Sequence, residues 1–246
     1  MDLLSLLGIV LGFAAILGGN FLEGGAVESL FNGSALLIVV GGTVAATILQ
    51  TSWQTLKRAM IQARWVFVPP FVSLEDGIGK VIDWSVKARK QGLLGLETLA
   101  EREPERFARK GLQLLVDGAE TDTIRGIMEV ELETREQRDL ESARVFEAMG
   151  GYSPTIGIIG AVMGLIQVMT NLEDPQTLGG GIATAFVATI YGVALANLLF
   201  FPMANKLRGI VRDRTRYEDM MIDGLIAIAE GENPKSIELR LRGFLR

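Results

Sequence analysis

Apolar residues gather in four long blocks, at about residues 3–21, 34–51, 152–171 and 180–203, and none of the four contains Asp, Glu, Lys or Arg. Each is long enough for the roughly 20 helical residues that cross a bilayer. The residues between the second and third blocks behave differently. There the apolar positions recur every three or four residues among dense charge, the pattern of helices with one buried face. No stretch alternates with the period of a strand. The pattern predicts an all-α polytopic membrane protein with four transmembrane helices and a helical domain on one side of the membrane.

The same pattern divides the chain into a first helix pair (1–51), a polar helical segment (52–150), a second pair (151–203) and a C-terminal helix with a tail (204–246). Within the polar segment, Ser73 followed by Asp76 reads as a helix start, leading into Ile78, Val81, Ile82 and Trp84. Pro104 with its acidic neighbours opens a second helix. A third, long helix covers 123–149, with Glu131 and Arg135 spaced as an ion pair. Read alone, the segment is too small and polar for a large core of its own. After the fourth block, Leu207, Ile210, Val211, Tyr217, Met221, Leu225 and Ile228 form a stripe at helical spacing. Asn233-Pro234 then interrupts it before a short basic tail.

Charge placement adds an orientation. The net charge of −5 says little. The connector after the first block carries Glu23 and Glu28, and the one after the third carries Glu173 and Asp174. Neither has Lys or Arg. Lys57, Arg58 and Arg64 follow the second block, and Lys206, Arg208, Arg212, Arg214 and Arg216 follow the fourth. By the positive-inside rule the polar segment and both termini are cytoplasmic. Asp2 stands where a signal peptide would have a basic residue, so the first block reads as a retained span. Trp53 and Trp65, with the basic residues between them and Pro69-Pro70 after, suit a helix lying along the membrane surface.

Composition then removes chemistry. Of 246 residues 49% are hydrophobic, with mean hydropathy +0.32, and there is neither Cys nor His. A thiol nucleophile, the usual neutral-pH base and the commonest metal ligands are missing, so no enzyme, cofactor or metal centre is expected. Nor is a nucleic-acid partner. An intramembrane proton relay needs an ionisable side chain, and the spans have none. Either the protein moves no ions, or a partner supplies the carboxylate. Polar atoms in the spans are hydroxyls and amides. Thr43, Thr47 and Thr51 share one face of span two, either bonding back to the preceding turn or facing a neighbour. Gly160 with Gly164, Gly181 with Ala185, and Ala188 with Gly192 and Ala196 are small-residue pairs. They suit close packing of spans three and four, or association with helices of other chains. Pro154 and Pro202 stand at the ends of spans three and four, as boundary markers or as hinges. Gly150-Gly151 ahead of Pro154 reads as part of a joint.

Together these features resemble the MotA family of flagellar motor stator proteins, within the MotA/TolQ/ExbB proton-channel group. The resemblance is most specific at Pro154-Thr155-Ile156-Gly157-Ile158-Ile159-Gly160-Ala161-Val162-Met163-Gly164-Leu165. Ala188-Thr189-Ile190-Tyr191-Gly192 and Phe201-Pro202-Met203-Ala204 support it, as does the four-span layout. It implies a homo-oligomer, a pentamer, around a MotB-type single-span, peptidoglycan-anchored partner whose aspartate carries the ion. It also implies that Pro154 and Pro202 couple ion passage to cytoplasmic movement and that Thr189 lines the path with Thr155. Arg89, Lys90 and Glu97 lie in a run similar to the family's contact with the rotor protein FliG; read from residues alone they are a solvated surface. Ala161 replaces the threonine found in sodium-using relatives, so the expected ion is the proton. The alternatives are a sodium-driven stator and an ExbB/TolQ-like energising subunit with no rotor.

Overall fold

The computed structural model describes residues 2–70, 72–170 and 175–245. The acidic residues Glu173 and Asp174 lie outside them. Among the described residues there is no strand. The helices are α1 (Leu3–Leu22), α2 (33–50, preceded by the short turn Val27–Leu30), α3 (Trp53–Ala63), α4 (Leu74–Gln91), α5 (Glu97–Arg102), α6 (Arg106–Val116), α7 (Thr121–Thr170), α8 (Pro175–Ala194), α9 (Phe201–Ala229) and α10 (Pro234–Leu241). Four stretches are long and apolar enough to cross a membrane: α1, the run Val27–Gln50 that ends in α2, part of α7, and part of the continuous run Leu178–Ala229. These coincide with the four apolar blocks.

Packing divides the chain into two compact units, one of residues 1–69 and 139–209, the other of 70–138 and 210–246. In the first unit, Asp2 caps α1, its carboxylate accepting from the backbone N–H groups of Leu4 and Ser5 at 3.1 and 3.4 Å. No residue of α1 is buried within the chain, as befits a helix whose apolar surface faces hydrocarbon. α2 enters through Asn32, whose side chain accepts from Ala35 N–H at 3.0 Å and donates to Thr184 at 2.8 Å. The Tyr191 hydroxyl donates to the carbonyl of Leu30 at 2.7 Å. Thr43 and Thr47 are buried and bond back to the carbonyls of Val39 and Thr43 at 2.6 and 2.8 Å. Thr51 leaves the series, because the helix ends at Gln50 and Thr51 is extended. Below the spans, buried Asp139 on α7 accepts from the Arg58 Nε at 2.6 Å and from the Gln62 amide, tying α3 to α7.

The second unit holds the large core. Trp84, Leu96, Phe107, Leu112, Leu115, Ile124, Met128, Met220, Met221, Leu225, Ile226 and Ile237 are all buried in it. The insertion does not build this core alone. α9 runs through it, bringing Tyr217, Met221, Leu225 and Ile228 of the stripe anticipated in the sequence, whereas Leu207 packs within the first unit, and the tail contributes too: α10 buries Ile237 and Leu241 completely. What reads as a basic tail is a capped helix, started by Asn233 accepting from Lys235 N–H, with Pro234 at its first position. Ser73 caps α4 through Asp76 N–H at 3.1 Å, as its spacing predicts. α6 begins at Arg106 with no acidic residue in its first turn. The acids beside Pro104 are drawn away by other partners, Glu103 to Lys80 at 2.8 Å and Glu105 to the Tyr217 hydroxyl at 2.8 Å.

Candidate functional site

The joint expected at Gly150-Gly151 does not break the chain. α7 is a single 50-residue helix that passes through both glycines and Pro154. Gly150 is buried for a different reason: a Cβ there would stand 2.8 Å from the Phe201 ring. It is a close-approach glycine. Pro154 removes one donor, the partner Gly150 C=O would otherwise have had, without ending the helix.

Beyond Pro154, α7 and α8 meet through their small residues. A Cβ on Gly157 would lie 2.9 Å from Ala188 O, one on Gly164 2.7 Å from Gly181 O, and one on Gly192 2.6 Å from Ser153 O. These are backbone atoms that cannot step aside, so the two helices touch main chain to main chain. Ser153 is buried and donates to Gly192 O at 3.0 Å. Packing of spans three and four on each other is thus one use of these residues. Gly160 also faces α2, with Ile38 Cγ2 at 3.4 Å from an added Cβ.

Of the candidate path residues, Pro154, Ala161 and Thr189 fall on or beside this seam, and Thr155 and Pro202 do not. A Cβ added at Gly192 would stand 3.2 Å from the Pro154 Cα, and Thr189 is one turn earlier on the same face of α8. Thr189 is half-buried and donates to Ala185 O at 3.2 Å, leaving its oxygen lone pairs open. Ala161 is half-buried between Gly157 and Gly164. Thr155 is on the opposite, exposed side with Ile158, Ile159 and Val162, donating to Tyr152 O at 2.8 Å. Pro202 is exposed and lies apart, in the first turn of α9. The segment before it, Leu195–Phe200, is a π-turn in which Phe201 N–H bonds Ala196 O five residues back. α2 contains a second π-turn, Leu37–Gly41. Such turns cluster at functional positions in helices, and no composition signal reveals them.

In the other unit, Arg89 and Lys90 occupy the last turn of α4 and Glu97 the first turn of α5, all exposed. Each sign suits its helix end. Gly92 between them takes φ +74°, a left-handed conformation that makes the sharp turn. Exposed Leu94 stands at the tip. No salt bridge involving these three charges occurs among the described residues, so they are turned outward. Inside the unit, the expected Glu131–Arg135 pair is part of a wider charge network whose other members come from separate helices. Lys110 bonds Glu131 at 2.6 Å, Arg135 bonds Glu131 at 2.8 Å and buried Glu218 at 2.6 Å, and Arg214 bonds Glu218 at 3.1 Å. Burial pushes the Glu131 carboxyl up, but its bond to Lys110 and the nearby Lys110, Arg135 and Arg106 charges outweigh that and hold it below the ordinary range. For Glu105 burial wins over the Tyr217 hydrogen bond, and its carboxyl is raised. Tyr217 is raised as well, by burial and then by Glu105. Among the described residues no group of three or more acidic side chains could hold a metal ion.

Comparison with known proteins places this geometry. Residues 99–220 match the model of the MotA/TolQ/ExbB proton channel family, and residues 6–76 match the motility protein A N-terminal model. Motility protein A of Bacillus subtilis (strain 168) is 35% identical over 246 residues, covering 100% of this chain and 91% of the relative. The fold is similar to the structure of C. jejuni MotAB, with TM-score 0.95, 33% identity, and 100% and 96% of the two chains covered. It is also similar to the flagellar MotAB stator complex from Bacillus subtilis, with TM-score 0.90, 35% identity, and 98% and 96% covered.

Proposed function

The chain belongs to the MotA/TolQ/ExbB proton channel family, and from that premise we infer its function. It is a flagellar motor stator subunit, a multi-pass protein of the bacterial inner membrane that assembles with copies of itself and a MotB partner. The observation that carries the mechanism is the lack of any Asp, Glu, Lys, Arg or His in the apolar blocks. A charge at the bilayer centre is costly and retained where it works. We propose that the working carboxylate belongs to the partner, a single-span, peptidoglycan-anchored chain encircled by a pentamer of this one.

Spans three and four then wall the path. Thr189, with its hydroxyl proton engaged by Ala185 O, offers lone pairs to water or to a protonated partner. Thr155 does the same from the exposed side of α7. Ala161 offers no oxygen. A sodium ion needs several oxygen ligands, while a proton needs a carboxylate and water, and this supports the proton as the translocated ion. Pro154 and Pro202 couple the partner's protonation to the helices that continue into the cytoplasm, where both termini lie. The chain catalyses no covalent reaction.

Torque passes to FliG through Arg89, Lys90 and Glu97. Exposed ion pairs contribute about 0 to 1 kcal/mol, so such contacts exchange quickly, as repeated stepping requires. The test is joint reversal, Arg89→Glu with Glu97→Lys, in cells carrying the intact partner. Motility should be lost with membrane level and partner co-purification unchanged. Normal swimming would favour an energising subunit with no rotor.

A further inference from the structure

The contacts of Asp2 reach beyond capping. Its carboxylate bonds the Lys206 ammonium, and Lys206 also donates to Ser5 Oγ at 2.7 Å, while Ser5 donates to Asp2 at 3.2 Å. The Asp2 backbone N–H bonds Phe67 O at 2.8 Å. One residue therefore joins the start of α1, the segment after α3, and α9 one turn past Pro202. The Lys206 and Asp2 side chains are 29% and 18% exposed, so the pair is sheltered but open to water. Beside it is a crevice of about 260 Å³ lined by Ser5, Gly8, Ile9, Pro202, Met203 and Lys206. On the chain's other side of Pro202 is the π-turn Leu195–Phe200. A helix with a widened turn and a missing donor has a place to bend, and the crevice gives that bend room.

We propose that Asp2, Ser5 and Lys206 form a releasable latch that holds α9 to the first span and sets how far the helix bends at Pro202. The latch rests on the stator reading for its purpose. It assigns to span one a positioning task in coupling. Its residues touch no ion; they fix the base of span four against which the coupling proline works. A partly wet ion pair suits this, since it holds a position yet opens at small cost.

The test uses the full complex with its MotB partner. The chain has no cysteine, so Gly8→Cys with Met203→Cys gives a unique reporter pair across the crevice. A Cβ on Gly8 meets nothing within 4 Å. In this background Asp2→Asn keeps a capping oxygen and removes the charge, and Lys206→Gln removes the other charge. Each should raise the rate of cross-linking by a short bifunctional maleimide about two- to fivefold and slow swimming, with complex yield unchanged. The double variant should lose no more than either single one, and Lys206→Arg should restore the parental rate. Unchanged cross-linking in both single variants, or additive losses in the double, would overturn the latch. If the unsubstituted chain with its MotB partner never restores motility to cells lacking a stator, the stator reading fails, while the cross-linking rates still decide the latch.

Discussion

The two compact units hold themselves together by different means. The unit of residues 70–138 and 210–246 buries long side chains: Phe107, Leu112, Met128, Met220, Leu225 and Ile226 are almost wholly enclosed. The unit containing the spans buries chiefly small ones where α7 and α8 meet, with Gly157, Gly164, Ala185, Ala188 and Gly192 at the contact. The solvents explain the contrast. Water drives large apolar groups together. Lipid gives a leucine nothing to escape from, so helices associate through close backbone approach and hydrogen bonds. Hence Ile, Leu and Met are spent on exposed faces of the spans, as at Ile158, Met163 and Leu165.

Three substitutions probe that contrast. The largest effect is expected for Leu225→Ala. Leu225 is fully enclosed against Gly111, and truncating such a residue costs about 2–5 kcal/mol. Urea denaturation of the detergent-solubilised chain, followed through Trp84, would measure it. A cost well under 1 kcal/mol would mean that the core is looser than its burial implies. Next is Gly192→Ala, which pushes a methyl to 2.6 Å from Ser153 O and should cost about 1–3 kcal/mol. Gly126→Ala, where the added methyl meets nothing, is the control. Equal complex yields from the two variants would show that main-chain contact does not hold the seam. The smallest effect is expected for Glu105→Gln. Burial raises the Glu105 carboxyl above its ordinary 4.5, so the folded chain holds that proton more tightly than the unfolded chain. Stability then falls as pH rises from 4.5 through the raised value. The glutamine variant should melt slightly higher than the parent at neutral pH, with the gap closing below pH 4.5. A gap that widens in acid would reverse the sign.

Much of this was legible locally. The four spans announce themselves by length and lack of charge, the α4 cap by Ser73 and Asp76, the ion pair by the spacing of Glu131 and Arg135, and the seam by its small residues. What escaped depends on distance along the chain. Asp2 looked like an argument about signal peptides because Lys206 is 204 positions away in sequence order, counting 206 − 2. Glu218 gives no local sign of its role, because its partner Arg135 comes from another helix. The C-terminal segment looked like a tail because what Ile237 and Leu241 pack against is encoded elsewhere. Around the α7–α8 seam, the residue types at Pro154, Ala161 and Thr189 were readable, whereas the close approach of Phe201 that requires a glycine at 150 was not.

The π-turn before Pro202 also sets a phase. Buried Ala196 and buried Ala204 are eight residues apart. In an unbroken α-helix eight residues are about 800°, which would leave the two faces about 80° out of line. A turn closed by a bond five residues back absorbs about one extra residue. The remaining seven complete nearly two turns, so Ala196 and Ala204 fall on the same side. The turn works like a skipped tooth in a screw thread, keeping span four and the base of α9 facing one way across a residue count that is not a whole number of turns. Removing one residue from Leu195–Phe200 should therefore leave both faces aligned and only straighten the thread between them.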